Sequence, residues 1–327
     1  MAGVNALLQV VYLLVFPGFL FLFAASLFGQ YMDRKLYARI QRRVGPPFLQ
    51  PFADFIKLAA KEDVVPDYAD RLMFTAAPIF AVTAVFAAFL FLPVVQSQGL
   101  HSFQGDLIVV LYLLMIPTLA MFLGGWYSGN VFGVRGGMRV ASLLFSYEIP
   151  FFVALLTPAL LAGSWRMSSI VGYENAHPIV LVISVLGFVI GLIALQGKLE
   201  RLPFDIPEAE TEIVAGPLVE YSGRRFALFR LARDAEMVVG AGLLAVVFLG
   251  GPYPMLVSSP TWLMWVNGFV MFLLKTFFII FLLILIKSAV ARIRTDQMIN
   301  LAYKWLIPLA LIQISLVVVL HAFGGLL

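Results

Sequence analysis

Eight stretches of this chain stay apolar for about the 20 residues that a helix needs to cross the hydrocarbon of a bilayer: residues 4–29, 72–95, 107–128, 140–163, 178–197, 236–257, 265–288 and 305–324. The pattern predicts an all-α integral membrane protein of about eight transmembrane helices, a single membrane domain over residues 1–327. Prolines inside the spans, such as Pro17, Pro117 and Pro158, are tolerated where neighbouring helices re-satisfy the backbone. Gly124-Gly125 and Gly240 with Gly242 allow close helix approach. Between the first two spans, apolar residues at 48, 52, 55, 56 and 59 recur at helical spacing, with Asp54, Lys57 and Lys61 elsewhere around the turn. That predicts an amphipathic helix lying at the membrane surface. Gly133 and Gly136-Gly137 read as a turn. Neither a tandem repeat nor a relation between the halves is visible, although a secondary transporter often carries one.

Composition agrees: 62% of residues are hydrophobic and 12% charged, half the charge of an ordinary soluble domain. The net charge of +4 bears on topology and not on nucleic acid, because the cations sit between the spans. Of 22 lysines and arginines, 20 fall in odd-numbered connections, Arg166 in an even-numbered one, and Lys275 inside the seventh span. The asymmetry predicts cytoplasmic odd-numbered connections and both termini outside. The N-terminus lacks a basic segment and a cleavage signal, so the first span is expected to be a mature helix.

The absence of cysteine excludes disulfides, thiolate-held clusters and a cysteine nucleophile. His101, His177 and His321 are far apart and suggest no metal site. Phosphate-binding, dinucleotide and zinc-protease motifs are missing too, so no catalytic residue is assigned and the chain is not expected to catalyse alone. Ionisable residues in spans are candidates for function, because each costs at least ~2.5–3.5 kcal/mol at the bilayer centre. Glu148 and Lys275 are two, and their opposite signs permit either an ion pair with each other or separate structural partners. The densest signal is the fifth connection, an acidic loop with Asp205, Glu208, Glu210, Glu212 and Glu220. In water such a run is usually a solvated face. Here it alternates with Ile206, Ala209, Ile213 and Leu218 between two spans, where crowded carboxylates would share protons and serve as a relay.

Ordered motifs run along nearly the whole chain: Asp33-Arg34-Lys35, Arg42-Arg43-Val44-Gly45-Pro46, Leu49-Gln50-Pro51-Phe52-Ala53-Asp54, and Arg139 with Ser146-Tyr147-Glu148. Arg201, Pro203-Phe204-Asp205, Glu208, Glu210, Glu212, Gly216 and Glu220-Tyr221 follow, then Phe226-Ala227-Leu228-Phe229, Lys275, Arg294, Asp296-Gln297 and Lys304. In this order they resemble one family: the H-type membrane subunit of respiratory complex I, subunit 1 in mitochondria, with relatives in membrane-bound hydrogenases and related ferredoxin-linked complexes.

The resemblance implies a prokaryotic plasma-membrane subunit that seats a peripheral electron-transferring module and passes its energy to antiporter-like membrane subunits. Its proton relay would comprise Glu148, Asp205, Glu208, Glu210, Glu212, Glu220 and Lys275. Docking contacts would be Arg34, Lys35, Arg39, Arg42, Arg43, Arg139, Arg201, Arg224 and Arg225, some of them doubling as anchors for lipid headgroups. Iron–sulfur clusters are expected in the partner subunits, among them a hydrogenase-like large subunit, and no cofactor on this chain. The short stretch Gly45-Pro46-Pro47-Phe48-Leu49 and Glu220-Tyr221-Ser222-Gly223-Arg224-Arg225 look hydrogenase-like, while Gly197-Lys198 replace the Ala-Glu of quinone-type members and Arg233, with Asp234 beside it, stands where the family has a glutamate. These departures argue against a functional quinone tunnel. The expected role is therefore membrane anchoring and proton or sodium coupling in a ferredoxin-linked hydrogenase or sulfur reductase. A quinone-site subunit of an NADH or ferredoxin:quinone complex is the alternative, and a free-standing ion transporter a distant one.

Overall fold

A computed structural model describes residues 11–96, 99–254 and 261–323, and these are helical with connecting turns. Parts of the predicted spans at 4–10, 255–257 and 324, and both chain ends, lie outside the described residues. Among the described residues, seven helical segments are long and apolar enough to cross a membrane: Val11–Ile40, Arg71–Phe89, Asp106–Tyr127, Val131–Ala162, Ile179–Lys198, Trp262–Ala289 and Thr295–Val319. We label the helices α1 (Phe19–Ile40), α2 (Gln50–Ala60), α3 (Arg71–Phe89), α4 (Asp106–Tyr127), α5 (Val131–Ala162), α6 (Met167–Ala176) and α7 (Ile179–Lys198). After them come α8 (Gly223–Leu249), α9 (Thr261–Ala289), α10 (Thr295–Leu301) and α11 (Ile307–Phe323).

An eighth long helix, α8, has the length to span but carries six charged residues in its first half. It is the core of the bundle. Every residue from Asp234 to Phe248 is buried, as expected of a helix surrounded by others. It packs on α1, α2, α3, α7 and α9. Gly240 permits the approach of α7: a Cβ there would stand 2.5 Å from Leu195. Outside, large apolar side chains such as Phe80, Val182, Leu274 and Trp305 are exposed, the surface that lipid covers.

Several predicted boundaries move. The first helical segment breaks at residues 15–18, so Pro17 lies in a turn, and α1 then runs on to Ile40. Asp33, Arg34, Lys35 and Arg39 are therefore helical. Helix α5 begins at Val131, which places Gly133, Gly136 and Gly137 within it and corrects the expected turn. The last span starts at Thr295, and Lys304 sits in its π-helical turn Ala302–Leu306. Hydropathy marks where an apolar run ends. Backbone hydrogen bonding continues beyond that point wherever charged side chains find partners on adjacent helices.

Helix α2 forms as the spacing predicts, with Phe52 and Ile56 exposed along its length. Asp54 turns inward instead, to Arg34 of α1 at 2.7 Å.

Candidate functional site

Side chains from the odd-numbered connections and adjoining helix ends meet at one end of the bundle. The acidic loop is held there by small residues. A Cβ on Gly136 would stand 2.5 Å from Pro217, and one on Gly125 2.8 Å from the same ring. Only glycine at these positions lets the turn Gly216–Leu218 press against both α4 and α5. Tyr221 then stacks on Phe74 at 4.0 Å and donates to its carbonyl at 3.1 Å. The loop is thus fixed at both ends of its C-terminal half.

Two ion-pair clusters follow. In the first, Asp33 of α1 meets Arg201 at 3.1 Å and Lys287 of α9 at 2.8 Å. Arg201 also reaches Asp234 at 3.9 Å, and Gln30 donates to Asp234 at 2.6 Å. The second runs inward from the loop. Arg233 of α8 bridges Glu208 at 2.7 Å and Glu200 at 3.1 Å. A cavity of about 10 Å³, the lower limit for one water, is lined by Arg233, Glu200, Glu236 and Lys198. Beyond it Lys198 pairs with Glu148 at 2.5 Å, its own side chain 1% exposed. Gly197 gives the Tyr147 ring room to lie against α7 beside this pair. Glu148 finally borders an apolar lateral groove of about 290 Å³ with Leu111, Tyr112 and Phe152.

Glu236 is buried, with Oε1 unpartnered, and the charges that act on it are Lys198, Glu200, Glu148 and Arg233. It therefore joins the two ends of the second cluster. Burial pushes Glu200 up to about 7; Arg233 pulls it back, while Glu208 and Asp205 add to the rise. Burial also raises Asp205, against the pull of Arg292 at 2.6 Å. Asp205, Glu208, Arg230, Arg233 and Arg292 line an open recess of about 600 Å³ at the mouth.

The description "NADH dehydrogenase" matches residues 11–318. The chain belongs to the NADH dehydrogenase family. It is 37% identical over 303 residues to the H subunit of the NADH-quinone oxidoreductase of Geobacillus kaustophilus (strain HTA426), covering 90% of this chain and 89% of the relative. Its fold is similar to a chain in the structure of the membrane-bound sulfane sulfur reductase, an archaeal respiratory membrane complex. There the TM-score is 0.80 at 25% identity, over 91% of this chain and 96% of the other. The chain is thus a homologue of that H-type protein, a membrane component of the complex I-like kind.

Within this family member, the residues expected to act together divide. Asp205, Glu208 and Glu148 belong to the inward cluster. Glu212 is more than half exposed and pairs with Arg139 at 2.6 Å. Glu220 accepts from Asn130 at 2.5 Å and Tyr68 at 3.2 Å. The Glu210 side chain lies outside those described. Lys275 does not meet Glu148; its ammonium is held by backbone carbonyls at the far end of α8. The docking cations divide as well. Arg34, Arg139, Arg201 and Arg225 turn in to Asp54, Glu212, Asp33 and Asp63. Lys35 reaches the Pro46 carbonyl, while Arg39, Arg42, Arg43 and Arg224 stay exposed.

Sequence reasoning passed over Asp33, Lys198, Glu200, Arg233, Asp234 and Glu236 as site residues. Asp33, Lys198, Arg233 and Asp234 entered only as motif positions, and Glu200 and Glu236 were assigned no role. Their alternating signs within α1 and α8 and at the end of α7 are the signal that was present.

Proposed function

We propose that this chain is the membrane-anchoring and ion-coupling subunit of a ferredoxin-linked oxidoreductase of the hydrogenase or sulfur-reductase type. It seats a peripheral iron–sulfur module on the exposed arginines Arg39, Arg42, Arg43 and Arg224, on the cytoplasmic side. It hands protons or sodium on to antiporter-like subunits in a prokaryotic plasma membrane. The observation that carries this reading is the file of ionisable groups from Glu208 through Arg233, Glu200, Glu236 and Lys198 to Glu148, half-buried at its ends and buried at Glu200, Glu236 and Lys198. Burial, with Glu208 and Asp205 beside it, holds Glu200 near neutrality, which is the property a proton relay requires. Glu200 near neutrality would take up a proton when a charge appears at the mouth. Glu148 would deliver one at the lateral groove, where a neighbouring membrane subunit would receive it.

A second reading, the quinone-site subunit of an NADH or ferredoxin:quinone complex, is favoured by the 37% identity to the corresponding subunit of an NADH-quinone oxidoreductase. Against it, the cleft between α1, α2 and α8, beside the short stretch 45–49, has a free volume of only about 10 Å³. A quinone ring needs a pocket of several hundred Å³. The recess lined by Arg34, Arg43, Gly45 and Lys287 on the other side of that stretch is about 580 Å³ but rimmed with cations, which suits an anion.

The test is to purify the assembled complex, measure which acceptor it reduces with ferredoxin as donor, and follow ion movement in liposomes. Reduction of protons or a sulfur compound coupled to ion movement is expected. Quinone reduction blocked by site-directed inhibitors would establish the second reading instead. Ion transport by the purified chain alone would make it a free-standing transporter.

A further inference from the structure

At the end of α8 away from the acidic loop, two more ionisable side chains are withdrawn from solvent. Glu174 on α6 is 3% exposed, and among the described residues neither of its carboxylate oxygens has a hydrogen-bond partner. Lys275 of α9 directs its ammonium into the turn that ends α8, donating to the carbonyl of Gly251 at 2.9 Å and to those of Leu249 and Tyr253. That turn is left-handed at both Gly250 (φ +70°) and Gly251 (φ +52°), which lets three carbonyls converge on one point. The negative end of the α8 dipole lies there as well.

The same turn rests on α6. Asn175 lies against Gly250 and Val171 against Gly251, and these two residues bracket Glu174 in sequence. Glu174 and Lys275 therefore flank one turn, and each charge acts on the other. Other ionisable groups facing α6 are engaged elsewhere. Asp106 of α4 accepts from the Met167 amide at 2.8 Å and from Ser102 at 3.3 Å, with Arg166 acting on it. His177 lies against Tyr173, ring centroids 4.8 Å apart and planes tilted by 44°. On α8, nothing from Met237 to Leu249 is ionisable.

We propose that Glu174 is a second proton-binding site, at the opposite end of the protein from the acidic loop, with Lys275 as its fixed counter-cation and positioning residue. On release, the O–H bond of the acid breaks, the electron pair stays on oxygen, and the proton passes to water at the exposed edge formed by Asn175 and Ala176. The ammonium then balances the carboxylate without moving, because the carbonyls already hold it. Burial favours the neutral acid, pushing Glu174 up to about 9 against the pull of Lys275. This deepens the ion-coupling reading and rests on it, since the proton bound here would be one that the complex moves.

Two measurements on the assembled complex test it. Infrared difference spectra across pH should contain a carboxylic-acid C=O band that disappears with a midpoint well above the ordinary carboxylate range and is missing in Glu174→Gln. In Lys275→Met the midpoint should move higher, and in Lys275→Arg, which keeps the charge, it should stay near the wild-type value. A band that survives Glu174→Gln, or a midpoint unmoved by Lys275→Met, overturns the assignment. If Lys275→Met does not assemble, the Glu174→Gln spectrum decides the matter. In liposomes, ions moved per electron should fall in both Glu174→Gln and Glu148→Gln. A fall in Glu148→Gln alone removes Glu174 from the path and leaves the proposed function standing. An unchanged ratio in both removes the relay itself.

Discussion

Glu200 and Glu212 stand on one loop, twelve positions apart, yet occupy different environments. Glu200 is 5% exposed, and its arginine partner is shared with Glu208. The Glu212 side chain is 58% exposed, and its partner Arg139 also donates to the Ile206 carbonyl at 3.2 Å. The comparison teaches that charge density along a sequence does not define a relay. What matters is which acids the fold withdraws from water while keeping them within reach of one another. Pro203, Phe204 and Ile206 are buried and draw the first part of the loop inward. The Gly125 and Gly136 seats for Pro217 hold the second part against the outside of α4 and α5.

The largest effect should come from breaking the most buried pair. Lys198→Met leaves Glu148 without its cation and should lower stability by ~3–5 kcal/mol, read as lost yield and a lower unfolding temperature in detergent. The double variant Lys198→Met/Glu148→Gln should recover most of that loss, because no unpaired charge then remains. Recovery of nothing would mean that the pair is not the source of the effect.

Next in size is the seating of the loop. Gly136→Val brings a side chain onto Pro217 and should cost about 1–3 kcal/mol by overpacking. It should also expose the segment 205–220 to protease. Wild-type protection in that variant would separate the glycine from the loop.

A third test concerns pH. The folded value for Glu200 lies above its ordinary 4.5, at about 7, so its protonated form stabilises the fold. That contribution is complete below about 4.5 and is lost as pH rises through about 7. The unfolding temperature of the wild type, compared with Glu200→Gln, should therefore decline across this window. Adding Glu208→Gln to the wild type should shift the window to lower pH, since Glu208 raises Glu200. Parallel curves for wild type and Glu200→Gln would place the titration elsewhere.

Smallest is the outer pair. Glu212→Gln should change stability by less than about 1 kcal/mol, as exposed ion pairs do, and should reduce coupling less than any inner substitution. An equal or larger loss of coupling would bring the outer acids into the relay on the same footing.

Much of the architecture was legible in the sequence. Runs of apolar residues gave the spans, and the spacing of Phe52, Phe55, Ile56 and Ala59 gave the surface helix α2. Family membership was legible from ordered motifs, and residues 11–318 carry it. The helix ends were not, because Asp33, Arg139 and Arg233 continue helices that hydropathy terminates. Nor was the pairing. Glu148 could have met Lys275 by sign alone, but the two lie toward opposite ends of the bundle. Glu236 and Leu249 are thirteen residues apart on α8, about 20 Å at 1.5 Å per residue. Sequence order conveys none of this, since it depends on which helix faces which.

Glu236 offers the most direct test of the central claim, that the buried file conducts ions. It lies mid-file without an ion-pair partner, so Glu236→Gln removes a titratable group without orphaning a charge. Ions moved per electron in liposomes, measured on the assembled complex, should drop sharply in this variant while its subunits stay together. A ratio equal to that of the wild type would contradict the account.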